Sequence, residues 1–170
     1  MRESRQAVAP YNAIDVWNDA DGSPRFTVAQ RFRSDDRREP RMALNISIAH
    51  ADGAAVAGVA DSDRAGSIGV DIEPTKPLAL ALLARVLLPA ELARLASDGD
   101  NPAPLALWTA KEAALKATHS VSAALRDVEL SWRSGRYIEA RVKRDTTRAT
   151  RIRVRHREVG PYTIAVALWQ

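Results

Sequence analysis

From Ser67 to Glu73 the chain reads Ser-Ile-Gly-Val-Asp-Ile-Glu, an unbroken alternation of apolar and other residues. Side chains two apart on a strand leave it on the same face. Ile68, Val70 and Ile72 therefore form one apolar wall that needs cover, and Asp71 and Glu73 project side by side from the other. Two carboxylates so close repel each other, and the repulsion falls away if positive charge lies between them. Any fold for this chain has to bury one wall of this strand and find an answer to the other.

Alternation dominates before and after this segment, but not directly behind it. Around the turn signal Asp21-Gly22-Ser23-Pro24, Ile14 and Val16 alternate toward Phe26 and Val28, which reads as a hairpin. Residues 42–63 read as two strands joined at Asp52-Gly53. The period then becomes helical. "LALALLARVL" has helical spacing, Pro89 opens a second helix that stops before Gly99, and "LALWTAKEAALKAT" is rich in strong helix formers. Strands return with "DVELSWRSGRYIEARVKR", "TRIRVRHREV" and, past Gly160-Pro161, "YTIAVALW". The stretch from Ile14 to Ala60 and the stretch from Val128 to Trp169 each run hairpin, Arg-rich loop, two strands. Two related β-units flanking a strand-plus-helices segment are therefore expected, in an α+β fold of antiparallel sheets packed with helices.

A length of 170 residues suits a single domain, here with a shortened first half at about 10–64 and a second half at about 65–170. The chain contains no cysteine, which excludes disulfides and thiolate metal sites. Its longest apolar run, Leu78 to Ala90, contains Arg85 and Pro89 and is too short to cross a bilayer. The N-terminus has no apolar signal-peptide core, so a cytoplasmic location without a membrane partner is the expectation. The formal net charge is +4, with arginines crowded at Arg25–Arg41 and Arg133–Arg157. Such a surface attracts nucleic acid, phosphorylated cofactors or an acidic protein, unless it is only a solvated face. Aromatic residues make up 5% of the chain and none interleaves with the arginines as a stacking platform, which argues against nucleic acid.

Oxygen donors alone, as at Asp71 and Glu73, favour Mg²⁺ or Mn²⁺, with phosphate oxygens and waters filling the shell. Glu112 on the third helical segment could add an oxygen. Lys116 lies one turn further along that helix, where it can meet a phosphate held by such an ion. Each feature also has a plainer reading: a solvated strand end, an i,i+4 surface pair, a surface histidine at His50.

Taken together, "GVDIE" and "WTAKEAALKA" resemble the paired signature of the 4′-phosphopantetheinyl transferase superfamily: Gly-x-Asp-x-Glu, then Trp/Phe-Ser/Thr-x-Lys-Glu-Ala-x-x-Lys. "NISIAH" resembles the Ser-His motif of the surfactin-synthetase-activating type, and "LLARVLLPAEL" resembles the helix between the signatures, where an Arg and a Pro-x-Glu recur. The resemblance implies transfer of 4′-phosphopantetheine from coenzyme A to a serine of an acyl or peptidyl carrier protein, with release of 3′,5′-ADP. It implies Asp71, Glu73 and Glu112 as metal-site carboxylates, Lys116 as a phosphate contact that neutralises the leaving group, and His50 as a contact to the 3′-phosphate. Glu112 or a metal-held water would take the serine proton. Lys111 and Arg25 are further candidate phosphate contacts, while Trp108 is expected to pack the helix into the core.

The chain departs from that pattern in places. Gly22-Ser23-Pro24 stands where Gly-Lys-Pro is expected, Ala49-His50 where Ser-His is expected, and Ala117-Thr118-His119-Ser120 where a Gly-rich turn is expected. The first half lacks early helices, so the architecture looks intermediate between the short trimeric synthase type and the long two-half type. A site built within one chain follows, in a pseudo-dimeric monomer or a small homo-oligomer. The alternative is a non-catalytic transferase-like docking domain, or a subunit that needs another chain. Arg31, Arg33, Arg37, Arg38 and Arg41 are the expected docking surface for an acidic carrier.

Overall fold

The chain's four two-strand segments fold as hairpins, and the carboxylate strand is recruited into a sheet by the last strand of the chain. The computed structural model describes residues 11–18, 24–30, 44–61, 66–97, 99–119, 123–134, 137–143 and 149–169. Strand β1 (Tyr11–Asn18) pairs antiparallel with β2 (Pro24–Gln30), setting Ile14 opposite Val28 and Val16 opposite Phe26 as the alternation requires. Contacts divide the chain into two compact units, Met1–Arg41 with this hairpin and Met42–Gln170 with everything else.

In the larger unit, β3 (Leu44–Ala51) and β4 (Ala54–Asp61) form a two-stranded sheet. Strand β5 (Ser67–Pro74) follows, then helices α1 (Leu80–Val86), α2 (Pro89–Leu95) and α3 (Pro104–Thr118). A 3-10 turn at Leu125–Asp127 leads into β6 (Val128–Ser134), β7 (Tyr137–Lys143), β8 (Ala149–Val159) and β9 (Tyr162–Trp169). These strands make a five-stranded antiparallel sheet in the order β5-β9-β8-β7-β6. Thus the second β-unit closes into one sheet and takes β5 as its edge. Among the described residues, no helix is long and apolar enough to cross a membrane.

Both faces of β5 are covered, by different means. Ile68, Val70 and Ile72 are buried with Ala49 and Ala60 of the β3–β4 hairpin, as the alternation predicts. The hairpin comes this close because Gly58 has no side chain: a Cβ there would stand 2.6 Å from Val70 Cγ1. Ser47 Oγ accepts the Val70 N–H at 2.9 Å, so a side chain meets a donor at the strand's outer edge. Tyr162 adds a tie by donating its hydroxyl to the Asp52 carbonyl at 2.8 Å.

Helix α3 lies on the other face. Pro104 sits in its first turn, where a missing N–H costs nothing, and His119 ends it in the left-handed conformation at φ 50°. Its alanines Ala110, Ala113, Ala114 and Ala117 are fully buried, letting it press against the sheet's apolar residues, among them Val128, Ile152, Val154 and Ala167. This is the main core.

One buried ion pair ties α2 to α3 and β6. Glu91 accepts the Leu88 N–H at 2.7 Å and the Leu130 N–H at 2.6 Å, and its carboxylate lies 2.8 Å from Lys111 Nζ. Lys111 donates in turn to the Val128 carbonyl at 2.6 Å. Every charge here has a partner, which is the condition for burying it.

Candidate active site

The site is built by one strand running along one helix. Positions 67, 69, 71 and 73 of β5 face α3, and each meets it at a successive point. Ser67 Oγ is 2.9 Å from His119 Nε2, at the helix C-terminus. At Gly69 the helix backbone rests on the strand, because a Cβ there would lie 2.0 Å from the Ala113 carbonyl oxygen and 2.4 Å from the Ala117 nitrogen. No other residue permits that approach. Next along, Asp71 Oδ1 accepts from Lys116 Nζ at 2.7 Å, and the Trp108 side chain is among the groups that favour the charged form of Glu73. Glu112, one helical turn before Lys116 and one after Trp108, shares their side of α3.

The electrostatics follow from crowding. Asp71 is only 6% exposed, and burial pushes its carboxyl above the ordinary carboxylate range despite Lys116. Burial also pushes Glu73 up, and the charge of Asp71 pushes it further. Glu112 is raised by burial, then by Asp71 and by Glu73. Glu73 and Glu112 thus each feel a neighbouring carboxylate, the response expected of like charges gathered in one place. Asp71 Oδ2 is buried and has no hydrogen-bond partner. An acceptor left in that state is costly unless something else binds it.

These features fit a hard divalent cation: an oxygen-only donor set, excess negative charge and an orphaned buried oxygen. As the side chains stand, no three acidic or histidine groups among the described residues are drawn round a single point. The Lys116 ammonium provides the positive charge at Asp71.

Other expected site residues are placed differently. Lys111 does not fit the expectation of a phosphate contact: it is 0% exposed, turned into the core and engaged by Glu91. Its neighbour Glu112 points the other way because adjacent helix positions lie about 100° apart. Burial pushes the Lys111 ammonium below its ordinary value, with Glu91 opposing that. His50 is exposed in β3, paired across the strands with Ala55, on the hairpin that covers the opposite face of β5 from the carboxylates. Arg25 lies in β2 opposite Trp17, within the smaller unit, and its side chain falls outside the described residues. So do Arg31, Arg33, Arg37, Arg38 and Arg41. Trp108, expected to pack the helix into the core, is partly buried on α3.

Two residues at the site were not singled out in the sequence. Ser67 and His119 are 52 positions apart and become partners only when α3 is laid antiparallel on β5. Glu91 was noted within a Pro-x-Glu pattern, but its role as the partner of Lys111 depends on where α2 packs.

The family model of the 4′-phosphopantetheinyl transferase superfamily matches residues 67–167. The chain belongs to this superfamily. The matched span opens on β5 and closes within β9, so it holds the carboxylate strand, all three helices and the five-stranded sheet, and leaves β1–β4 outside. Among curated proteins, none matches the sequence. Within the transferase superfamily frame, the close approach at Gly69 explains the glycine of the Gly-x-Asp-x-Glu signature: it sets the helix height at which Glu112 and Lys116 stand beside Asp71.

Proposed function

We propose that this chain transfers 4′-phosphopantetheine from coenzyme A to a serine hydroxyl of an apo acyl or peptidyl carrier protein, releasing 3′,5′-ADP. The observation that carries this reading is the Asp71 carboxylate, buried with one oxygen on Lys116 and the other without a partner, among two further acids. Superfamily membership points to phosphopantetheine transfer, and the acids supply a place for it.

In this reading Asp71, Glu73 and Glu112 hold Mg²⁺, or Mn²⁺ in its place. Bound there, the ion would spread charge off the diphosphate oxygens and lower the barrier to displacement. The serine oxygen forms the new bond to phosphorus as the bond to the departing 3′,5′-ADP oxygen breaks. Glu112 accepts the serine proton, directly or through water. Lys116, 35% exposed and reaching the site from α3, donates to a phosphate oxygen and offsets the charge of the leaving group. His50 and Arg25 are proposed contacts to the 3′-phosphate.

We read the chain as one domain of the surfactin-synthetase-activating type with a shortened first half, cytoplasmic, and monomeric or a small homo-oligomer. Both elements of the acidic site come from one chain, which favours a site complete in each copy.

The test is incubation with coenzyme A, Mg²⁺ and apo carrier proteins of fatty-acid, polyketide and peptide systems, followed by mass spectrometry of the carrier. A gain of one phosphopantetheine is expected, lost in Asp71→Ala with the far-ultraviolet circular dichroism unchanged. If no carrier gains mass, the reading fails. A non-catalytic docking domain is then favoured, consistent with Lys116 already neutralising Asp71 and with acids not gathered on one point.

A further inference from the structure

The two oxygens of Asp71 meet different fates. Oδ1 accepts from Lys116 Nζ at 2.7 Å, and Oδ2, buried, has no partner. One ammonium carries a single charge, while Asp71, Glu73 and Glu112 gather three carboxyl groups within reach of each other's charge. The lysine is therefore an undersized counter-ion. It answers one oxygen of one acid, and among the described residues no three acidic or histidine groups are drawn round a single point.

The parts of this contact differ in their freedom to move. Asp71 stands on a strand paired with β9 along its whole length, and the close approach at Gly69 sets α3 against that strand. The Lys116 side chain is 35% exposed, in the last turn of α3, on a flexible four-carbon stem. It can leave Asp71 by rotating about its own bonds, with no change in either element. Lys111 has no such freedom, being fully enclosed and held by Glu91 and by the Leu125 and Val128 carbonyls.

A divalent cation and this ammonium compete for one carboxylate. Seated together on the two oxygens of a buried Asp71 they would repel, with little water between them to screen it. The divalent ion can draw on several carboxylates at once, whereas the ammonium is hydrogen-bonded to Asp71. Once displaced, the ammonium stays tethered to α3 one turn from Glu112, where an anionic oxygen can take the place of Asp71.

We propose that Lys116 is a place-holding counter-ion: it closes the acidic site by sitting on Asp71, and it is released when a divalent cation takes that carboxylate. The proposal rests on the reading of Asp71, Glu73 and Glu112 as a metal site, and adds how that site is kept closed and when its lysine becomes available.

The test has two arms, both on the full chain without coenzyme A. In the first, chelator-treated protein is titrated with Mn²⁺ and the free ion is followed by electron paramagnetic resonance. Lys116→Gln should bind Mn²⁺ at least about fivefold more tightly than the native protein. Lys76→Gln is the control, because Lys76 is an exposed cation that acts on Glu73 through space. Its removal should change Mn²⁺ binding far less, since exposed charges are screened. In the second arm, brief acetylation of lysines is mapped by mass spectrometry. Acetylation of Lys116 in the native protein should rise when Mn²⁺ or Mg²⁺ is added, and in Asp71→Asn it should be high from the start and indifferent to metal. This arm uses the native protein, so it decides even where Lys116→Gln is destabilised. Equal or weaker Mn²⁺ binding in Lys116→Gln, an equal gain in Lys76→Gln, or metal-independent acetylation of native Lys116 overturns the proposal and leaves the transfer reading to the carrier assay. Absence of Mn²⁺ binding in every form overturns the proposal together with the metal assignment.

Discussion

Helix α3 offers two lysines five positions apart, and each meets a carboxylate at about the same distance, 2.8 Å for Lys111 with Glu91 and 2.7 Å for Lys116 with Asp71. Everything else about the pairs differs. Around Lys111 and Glu91 both carboxylate oxygens accept backbone N–H groups, and the ammonium also binds carbonyls. At Lys116 and Asp71 one carboxylate oxygen is left without a partner, and Glu73 and Glu112 add negative charge. The first pair is closed and serves the fold. The second is incomplete in the way a ligand site is incomplete, and it keeps its lysine within reach of solvent. A buried ion pair is informative about function through what it leaves unsatisfied, not through its length.

That contrast can be broken most forcefully at the closed pair. Lys111→Ala or Glu91→Ala leaves an uncompensated buried charge and should cost about 3–5 kcal/mol in urea unfolding, whereas Asp71→Asn should cost far less and abolish transfer. Similar losses for all three would erase the distinction. Gly69→Ala comes next. Its methyl group has no room against the Ala113 carbonyl, so α3 has to move, with a loss of about 1–3 kcal/mol or more. Transfer should fall with it, since Glu112 and Lys116 ride on the displaced helix.

The open pair is sharpened by pH. Asp71, Glu73 and Glu112 all hold protons more tightly folded than unfolded. Their contribution to stability is complete below the unfolded carboxylate range, about pH 4, and is lost as pH rises through the raised folded values. Asp71→Asn should therefore gain on the native protein as pH is raised from about 4 toward neutrality. Millimolar Mg²⁺ should narrow that gap by stabilising only the native protein. A gap that stays constant with pH would contradict the crowding. The smallest effect is expected at the clamp between strand and helix end. Ser67→Ala or His119→Ala should cost about 1 kcal/mol, read as a modest fall in the urea midpoint.

Much of this is legible in the sequence. Alternation gave β5 its two faces, and the hairpins of the β-units follow from turn residues flanked by period-two patterns. That Glu112 and Lys116 share one side of a helix was readable because i,i+4 spacing fixes a helix side without tertiary knowledge. Lys111 turns into the core while its neighbour Glu112 feels the charges of Asp71 and Glu73, because adjacency in sequence means a different direction on a helix. Which side reaches the core depends on α2, whose Glu91 arrives from twenty residues away. The cationic half of the sheet was visible only as arginine abundance until strand register put Arg151 opposite Arg141.

By itself the sequence determined local periodicity, and with it the elements, the faces of each strand and helix, and the superfamily, because these depend on neighbours a few residues apart. Only the tertiary structure decided which faces meet. The absence of a side chain at Gly69 sets the depth of α3 on β5, and that depth separates a lysine sealed in the core from one poised beside an unsatisfied acid.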